Sequence, residues 1–142
     1  MEVYPGNFTH WKSKVRDYEC DSYGGVNNAV YFHYFEEARK EYLESLNFDL
    51  HALAKKNIGF VAVRIEIDYR SSLLSGEEFI VETKMERLKK LTFQFTQNIH
   101  RLSDQKLIAS SINFGVPLNI EKNRAETCEE LENLLHQFPV PQ

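Results

Sequence analysis

The chain has 142 residues, with 17 Lys plus Arg against 21 Asp plus Glu and a formal net charge of −4; at 42% hydrophobic and 13% aromatic residues it has one domain's worth of length and can build a core, which excludes a disordered, fibrous or low-complexity chain. The acidic balance removes the electrostatic case for nucleic acid or an anionic membrane as partner, although a local basic patch can still receive an anionic ligand. No run approaches the roughly 20 apolar residues of a membrane span, and Met1 to Thr9 lacks the charged start and apolar stretch of a signal peptide. A single domain over residues 1–142 in the cytoplasm is therefore expected. Cys20 and Cys128 have no CxxC spacing and no nearby His pair, so free thiols are expected and no metal or disulfide.

In chain order, Phe8 to Asp17 reads as a strand, with Trp11 and Val15 on one parity. From Ala29 to Leu46 the period changes. Tyr31, Tyr34, Phe35, Ala38, Tyr42, Ser45 and Leu46 fall at i, i+3, i+4, i+7 spacing, and Glu36, Glu37, Arg39, Lys40, Glu41 and Glu44 take the other side, which predicts one amphipathic helix about 27 Å long. Ile58 to Tyr69 alternates, with Val61, Val63, Ile65, Ile67 and Tyr69 expected on the packed face and Arg64, Glu66 and Asp68 on the wetter one. Ser71 to Glu77 is a connection. Phe79, Val81, Thr83 and Met85 then alternate with Glu82, Lys84 and Glu86. After a basic turn at Leu88-Lys89-Lys90, Leu91, Phe93, Phe95, Gln97 and Ile99 continue the pattern as the second arm of a hairpin. The last strand, Lys106 to Pro117, puts Ile108, Ser110, Ile112, Phe114 and Val116 on one parity, and Pro117 is expected to end it. Thr127 to Phe138 reads as a short helix with Leu131, Leu134 and Leu135 apolar.

The order predicts an α+β fold, one long helix against one face of a five-stranded antiparallel sheet, with a short C-terminal helix. The opposite parity, carrying Phe60, Ala62, Ile80 and Ile108 or Phe114, and two sheet edges are left open; a second subunit closes them most simply.

The segment Val15 to Tyr31, between the first strand and the long helix, carries the chemistry. It holds two carboxylates two apart, Glu19 and Asp21, the Gly24-Gly25 pair, and Asn27 and Asn28 at a helix start. Unpaired N–H groups at a helix N-terminus can hydrogen-bond a developing oxyanion, and a nearby carboxylate can attack or activate water. Those are the parts of an acyl-transfer site. The same residues also describe an ordinary turn with Asn27 or Asn28 as N-cap.

The pattern Glu19-x-Asp21-x-x-Gly24-x-Val26-Asn27-Asn28-x-x-Tyr31, followed by Phe35-Glu36-x-Ala38-Arg39-x-x-Tyr42-Leu43, resembles the 4-hydroxybenzoyl-CoA thioesterase type of the hotdog-fold thioesterases, which includes plant acyl-ACP and bacterial acyl-CoA thioesterases. The likeness runs over roughly residues 7 to 120. It implies hydrolysis of an acyl thioester of coenzyme A or acyl carrier protein, with no cofactor, in a homodimer or dimer of dimers with sites at the subunit interface. By position, Asp21 matches the catalytic carboxylate, as nucleophile or as general base for water. Asn28 matches the helix-start residue whose backbone amide polarises the carbonyl, and Gly24 the glycine that lets the loop approach. Asn27 and Tyr31 are implied in substrate binding. Gly25 and Asn28 stand where some members carry His, so a His-assisted route is not expected, and the His–carboxylate pattern of the hydratase branch is absent. Glu19 reads as a second carboxylate or a solvated strand end, and His33 as a structural histidine. Lys89 and Lys90 are candidates for the phosphates of the carrier. Phe32, Phe35, Phe60, Phe93 and Phe95 are candidates for an acyl tunnel or for plain core. The opposing reading is a non-catalytic acyl-binding or assembly module of the same fold.

Overall fold

A computed structural model of the protein describes residues 8–138, so most of the Met1 to Thr9 segment lies outside the described residues. Strand β1 (Thr9–Lys14) leads through a 3-10 turn (Asp17–Glu19) into helix α1 (Asn28–Ser45) and a short helix α2 (Leu50–Lys55). There follow β2 (Ile58–Tyr69), β3 (Glu78–Lys89), β4 (Thr92–Arg101), β5 (Leu107–Asn119), a two-residue β6 (Arg124–Ala125) and helix α3 (Glu129–Leu135). The sheet is antiparallel in the order β1-β3-β4-β5-β2, with β6 paired to the end of β5. The expected helix on a curled antiparallel sheet is present, with α2 and β6 added.

Helix α1 buries the stripe Tyr31, Tyr34, Phe35, Ala38, Tyr42 and Leu43. It ends by geometry rather than by a proline. Asn47 takes a left-handed φ of 65°, Phe48 N–H returns to Leu43 O and Asn47 N–H to Glu44 O, and Phe48 drops into the core, a Schellman ending with its hydrophobic contact. Asn57, φ 62°, does the same office after α2. These two turns bring the chain into β2 at the sheet's edge.

Two strands carry their faces differently from the simple alternation. In β2 the pairing with β5 slips between Ala62 and Arg64, so Val63 is a bulge residue and the parity changes there. Ile58 and Phe60 face the helix before the bulge, Ile65 and Ile67 after it. Phe60, expected on the outer face, packs inside, and Val63, expected inside, is 60% exposed. In β5 the helix-facing residues are Ala109, Ser111, Asn113 and Gly115, set opposite Ile99, Gln97, Phe95 and Phe93. Ile112, Phe114 and Val116 therefore face outward, while Ile108 is bulged by the β4 register shift and buried. Pro117 does not end β5. Its carbonyl accepts from Glu126 N–H on the side where β4 has stopped, so its missing N–H costs no ladder bond.

The core falls into two clusters. One joins Tyr31, Tyr34, Phe35, Phe79, Val81 and Ile99; the other joins Tyr42, Leu53, Met85, Phe93, Leu131 and Leu135. A belt of buried polar side chains lies between them. Gln97, fully buried, donates to Phe35 O and Thr83 Oγ1 and accepts from Arg39 on α1. Buried amides of this kind are tolerable only when bonded. At the far end α3 closes the second cluster with Leu131 and Leu135, and the buried Arg87 holds it, donating to Phe138 O and Lys90 O and pairing with Glu132 at 3.5 Å.

Candidate active site

The loop between β1 and α1 is a tight hairpin tip. Cys20 and Val26 form a bridge, Asp21 N–H donates to Gly25 O and Gly24 N–H to Asp21 O. Gly24 has φ +86° with open space around it, a conformation that carries a steric cost for any residue with a Cβ. Asp21 is exposed at the tip. One carboxylate oxygen accepts from Tyr23 N–H at 2.9 Å, which fixes the side chain, and the other has no partner among the described residues.

Helix α1 begins immediately after this loop. Asn27 is the N-cap, its side-chain oxygen accepting from Ala29 N–H at 2.9 Å. Asn28 is the first helical residue, exposed, and among the described residues its N–H finds no acceptor. An unpaired N–H at a helix start, with the partial positive charge of the helix end behind it, is an oxyanion donor in waiting. Its own carbonyl is held by the Tyr69 hydroxyl at 3.1 Å.

The loop is backed by the connection after β2. Val26 N–H donates to Leu73 O, Gly25 bridges Leu74, and Leu73 N–H donates to the Tyr31 hydroxyl at 3.1 Å. The side chains of Asn27 and Tyr31 thus have structural employment. The first caps the helix, and the second, 2% exposed, ties the 71–77 connection to α1. Burial pushes the Tyr31 phenol up, and burial with the neighbouring Glu19 does the same to Tyr34. Glu19 is half-buried and bonded, accepting from Arg16 N–H and from the Tyr34 hydroxyl. Cys20 has no His beside it, and its thiol is pushed up by desolvation and then by Asp17, Asp21 and Glu19, the opposite of activation. His33 is an exposed helix residue.

Lys89 and Lys90 are exposed at the β3–β4 turn, whereas the Asp21 loop packs beside the start of β3, where Val15 N–H meets Glu77 O. The two ends of β3 are about 36 Å apart, so one protomer does not bring the lysines to Asp21.

A cavity of about 420 Å³ opens elsewhere, between the second half of α1, α2 and the inner side of β2 and β5. Phe60 and Phe95 line it, with Leu43 and Ile58. Phe35 and Phe93 are buried core and Phe32 is 43% exposed. Its size is that of a small-molecule pocket. Of the five phenylalanines that were candidates for an acyl tunnel, Phe60 and Phe95 line this cavity; Phe60 reaches it from the inner face because the parity of β2 changes at the Val63 bulge.

Comparison with known proteins matches residues 15–138 to a family profile, and the profile is that of the Thioesterase-like superfamily. The chain belongs to that superfamily. Among its relatives, this thioesterase-like chain is 30% identical over 126 residues to the long-chain acyl-CoA thioesterase FadM of Escherichia coli, covering 88% of this chain and 95% of that one. It is 32% identical over 103 residues to the chloroplastic acyl-acyl carrier protein thioesterase ATL2 of Arabidopsis thaliana, covering 72% of this chain and 55% of the relative. The chain thus spans just over half the length of that plant relative. Among solved structures, the probable thioesterase YbaW of Escherichia coli is 29% identical with a TM-score of 0.76, over 91% of this chain and 97% of that one. The 1,4-dihydroxy-2-naphthoyl-CoA thioesterase of Synechocystis shares the hotdog fold, with a TM-score of 0.83 at 14% identity over 95% of this chain and 100% of that one. Among the described residues no helix is long and apolar enough to cross a membrane.

Proposed function

We propose that the protein hydrolyses an acyl thioester of coenzyme A or acyl carrier protein to the free acid and thiol, with Asp21 and the Asn28 N–H as its chemical groups. The observation that carries the reading is the pairing of a fixed, exposed carboxylate with an unpaired helix-start N–H on one short loop. The Asn28 amide stabilises the oxygen that becomes negative as the thioester carbon turns tetrahedral. Asp21 either attacks that carbon or takes a proton from the attacking water. Gly24 shapes the turn that presents it. The thiol leaves with its carrier.

The working unit on this reading is a homodimer. Along β2 one edge pairs with β5 and the other carries no strand among the described residues. An unpaired edge of 12 residues is a ready template for its own copy. Two β2 edges paired antiparallel about a two-fold axis near Arg64 set the Tyr69 end of one against the Gly59 end of the other. Tyr69 holds Asn28, and Gly59 rims the cavity. The Asp21 loop of each protomer then opens onto the cavity of its partner, and the site is complete only as a pair. Lys89 and Lys90 lie at the cavity's end of the sheet, where a carrier phosphate reaches them across the dimer rather than within a protomer.

The test is Asp21→Asn in a free-thiol assay on a panel of acyl-CoA and acyl-carrier thioesters. The carboxamide keeps the shape and the Tyr23 contact, and kcat is expected to fall at least about 100-fold with the fold intact. Wild-type turnover by Asp21→Asn removes the site assignment. A protein that binds acyl-CoA, cleaves none of the panel and is unaffected by the substitution is the acyl-binding module instead. Light scattering decides the assembly, since a monomer with full turnover is incompatible with a shared site.

A further inference from the structure

The cavity between α1, α2 and β2 has an apolar wall of Phe60, Phe95, Leu43 and Ile58, yet one polar residue is set into its sheet side. Asn113, on the helix-facing side of β5, is 2% exposed and lines the cavity. Its side-chain amide finds no hydrogen-bond partner among the described residues. Its neighbours in the polar belt are treated differently: Gln97 and Thr83 are bonded to each other and to α1. Ser111, two residues along the same face, has an unpartnered Oγ but lies outside the cavity.

Arg39 lines the same cavity from the helix side. It gives one N–H to Gln97 Oε1 at 3.0 Å and none to any other described residue. The belt thus holds the guanidinium from behind and leaves it donors to spend on the cavity. The Asn113 amide opens onto the cavity rather than being sealed in protein, so a purely hydrocarbon occupant that displaces water from it leaves it unbonded at a net cost. An occupant with an oxygen opposite Asn113 removes it.

Position along the chain follows from the strand register. Tyr69, which holds the start of α1, faces Ala109 on β5, four residues from Asn113. Gly59, beside which the partner's loop would stand, faces Leu118, five residues from Asn113. Whichever protomer supplies Asp21, the Asn113 amide is about 13 Å or more of strand away from it. An oxygen on the first carbons after the thioester does not reach.

We infer that the cavity selects acyl chains carrying a hydroxyl or carbonyl oxygen on their middle or distal carbons, which the Asn113 amide binds with the Arg39 guanidinium as a second donor. This rests on the thioesterase reading and names the substrate class of that site. Asn both donates and accepts, so it serves either oxygen type. A site built around a hydrogen bond discriminates against the analogue lacking it far more strongly than an apolar pocket discriminates by size.

The experiment compares kcat/KM for acyl-CoAs of equal length, unsubstituted or bearing one hydroxyl or keto group at successive positions from the third carbon outward. The wild type is expected to prefer at least one mid-chain or distal oxygen over the unsubstituted chain by about tenfold or more, with no such gain at the third carbon. In Asn113→Leu, and in Asn113→Ala should the first not fold, the ratio is expected to fall to about one. The ratio is taken within each protein, so a loss of folded material does not imitate it. Hydrolysis of the unsubstituted chains with no preference at any distal position, or a preference that survives both substitutions, overturns the inference and leaves the thioesterase reading standing. A wild type that cleaves no thioester overturns both.

Discussion

Replacing Tyr31 by Phe removes one oxygen atom from a fully packed site. The ring keeps its edge contacts with Tyr34 and Tyr69, at centroid separations of 6.0 and 5.5 Å, so the packing contribution is unchanged. What is lost is the acceptor for Leu73 N–H, on a residue that is itself completely buried. A buried donor left without a partner costs about 1–3 kcal/mol. For a chain of this length each kcal/mol moves Tm by roughly 3–4 °C, which gives an expected fall of about 3–12 °C in a thermal scan at one fixed protein concentration. The same bond positions the 71–77 connection, whose Leu73 carbonyl takes the Val26 N–H beside the Asp21 loop. Tyr31→Phe should therefore also lower kcat/KM, while Tyr69→Phe, which loses a bond at an exposed site, should cost less than about 1 kcal/mol. A Tm within about 1 °C of the wild type refutes the reasoning, since it would mean that Leu73 N–H has another acceptor and that the hydroxyl ties nothing down.

Gly24→Ala meets no steric neighbour but forces a Cβ onto φ +86°. Its cost is about 1–2 kcal/mol of backbone strain, and activity should fall more than stability because the strain sits in the turn that presents Asp21, as paired denaturation and turnover measurements will show. Arg87→Leu leaves Phe138 O, Lys90 O and Glu132 without their partner. An expected loss of about 2–4 kcal/mol should release α3, read as faster labelling of Cys128 by a thiol reagent than in the wild type. Burial pushes the Tyr42 phenol up to about 12. A folded-state value above the unfolded one near 10 means the unfolded chain loses its proton first, so this contribution is full below about pH 10 and is lost as pH rises toward 12. Denaturation midpoints should fall between pH 9 and pH 11, and less steeply in Tyr42→Phe.

Much of this was legible in the sequence, and where it was not the reason is local. The α1 stripe is stated by the spacing of Tyr31, Tyr34, Phe35, Ala38 and Tyr42, because every one of them packs against the sheet. Strand β3 keeps strict alternation because its pairing with β4 runs without a shift from Phe79 to Arg87, and its buried residues are the ones expected. Strands β2 and β5 differ because each contains a bulge. A single extra residue at Val63 or Ile108 exchanges the faces of everything beyond it, and nothing in the composition of Phe60-Val61-Ala62-Val63 marks the place. Alternation put Ile112, Phe114 and Val116 on one parity but left the register open; those side chains face out and the helix receives Ser111, Asn113 and Gly115. At the site, the Asp-x-x-Gly turn and the Asn pair were readable as loop and helix start. The division of labour was not. Asn27 spends its side chain on a cap and Tyr31 on Leu73, both contacts set by the fold of residues far along the chain.

The belt of Thr83, Gln97 and Arg39 separates two half-cores, and that division governs how the molecule breathes. Cooperative opening follows the boundaries of dense apolar contact. The Tyr42–Leu131–Leu135 half is closed by two short helices, while the Tyr31–Phe79–Val81 half is braced by α1 and the middle of the sheet. Amide protons of α2, α3 and the β3–β4 turn should therefore exchange as one early unit, with those at the start of α1 exchanging later. On the proposed function, the protein admits an acyl chain by loosening one end of itself while the end that carries the Asp21 loop keeps its shape.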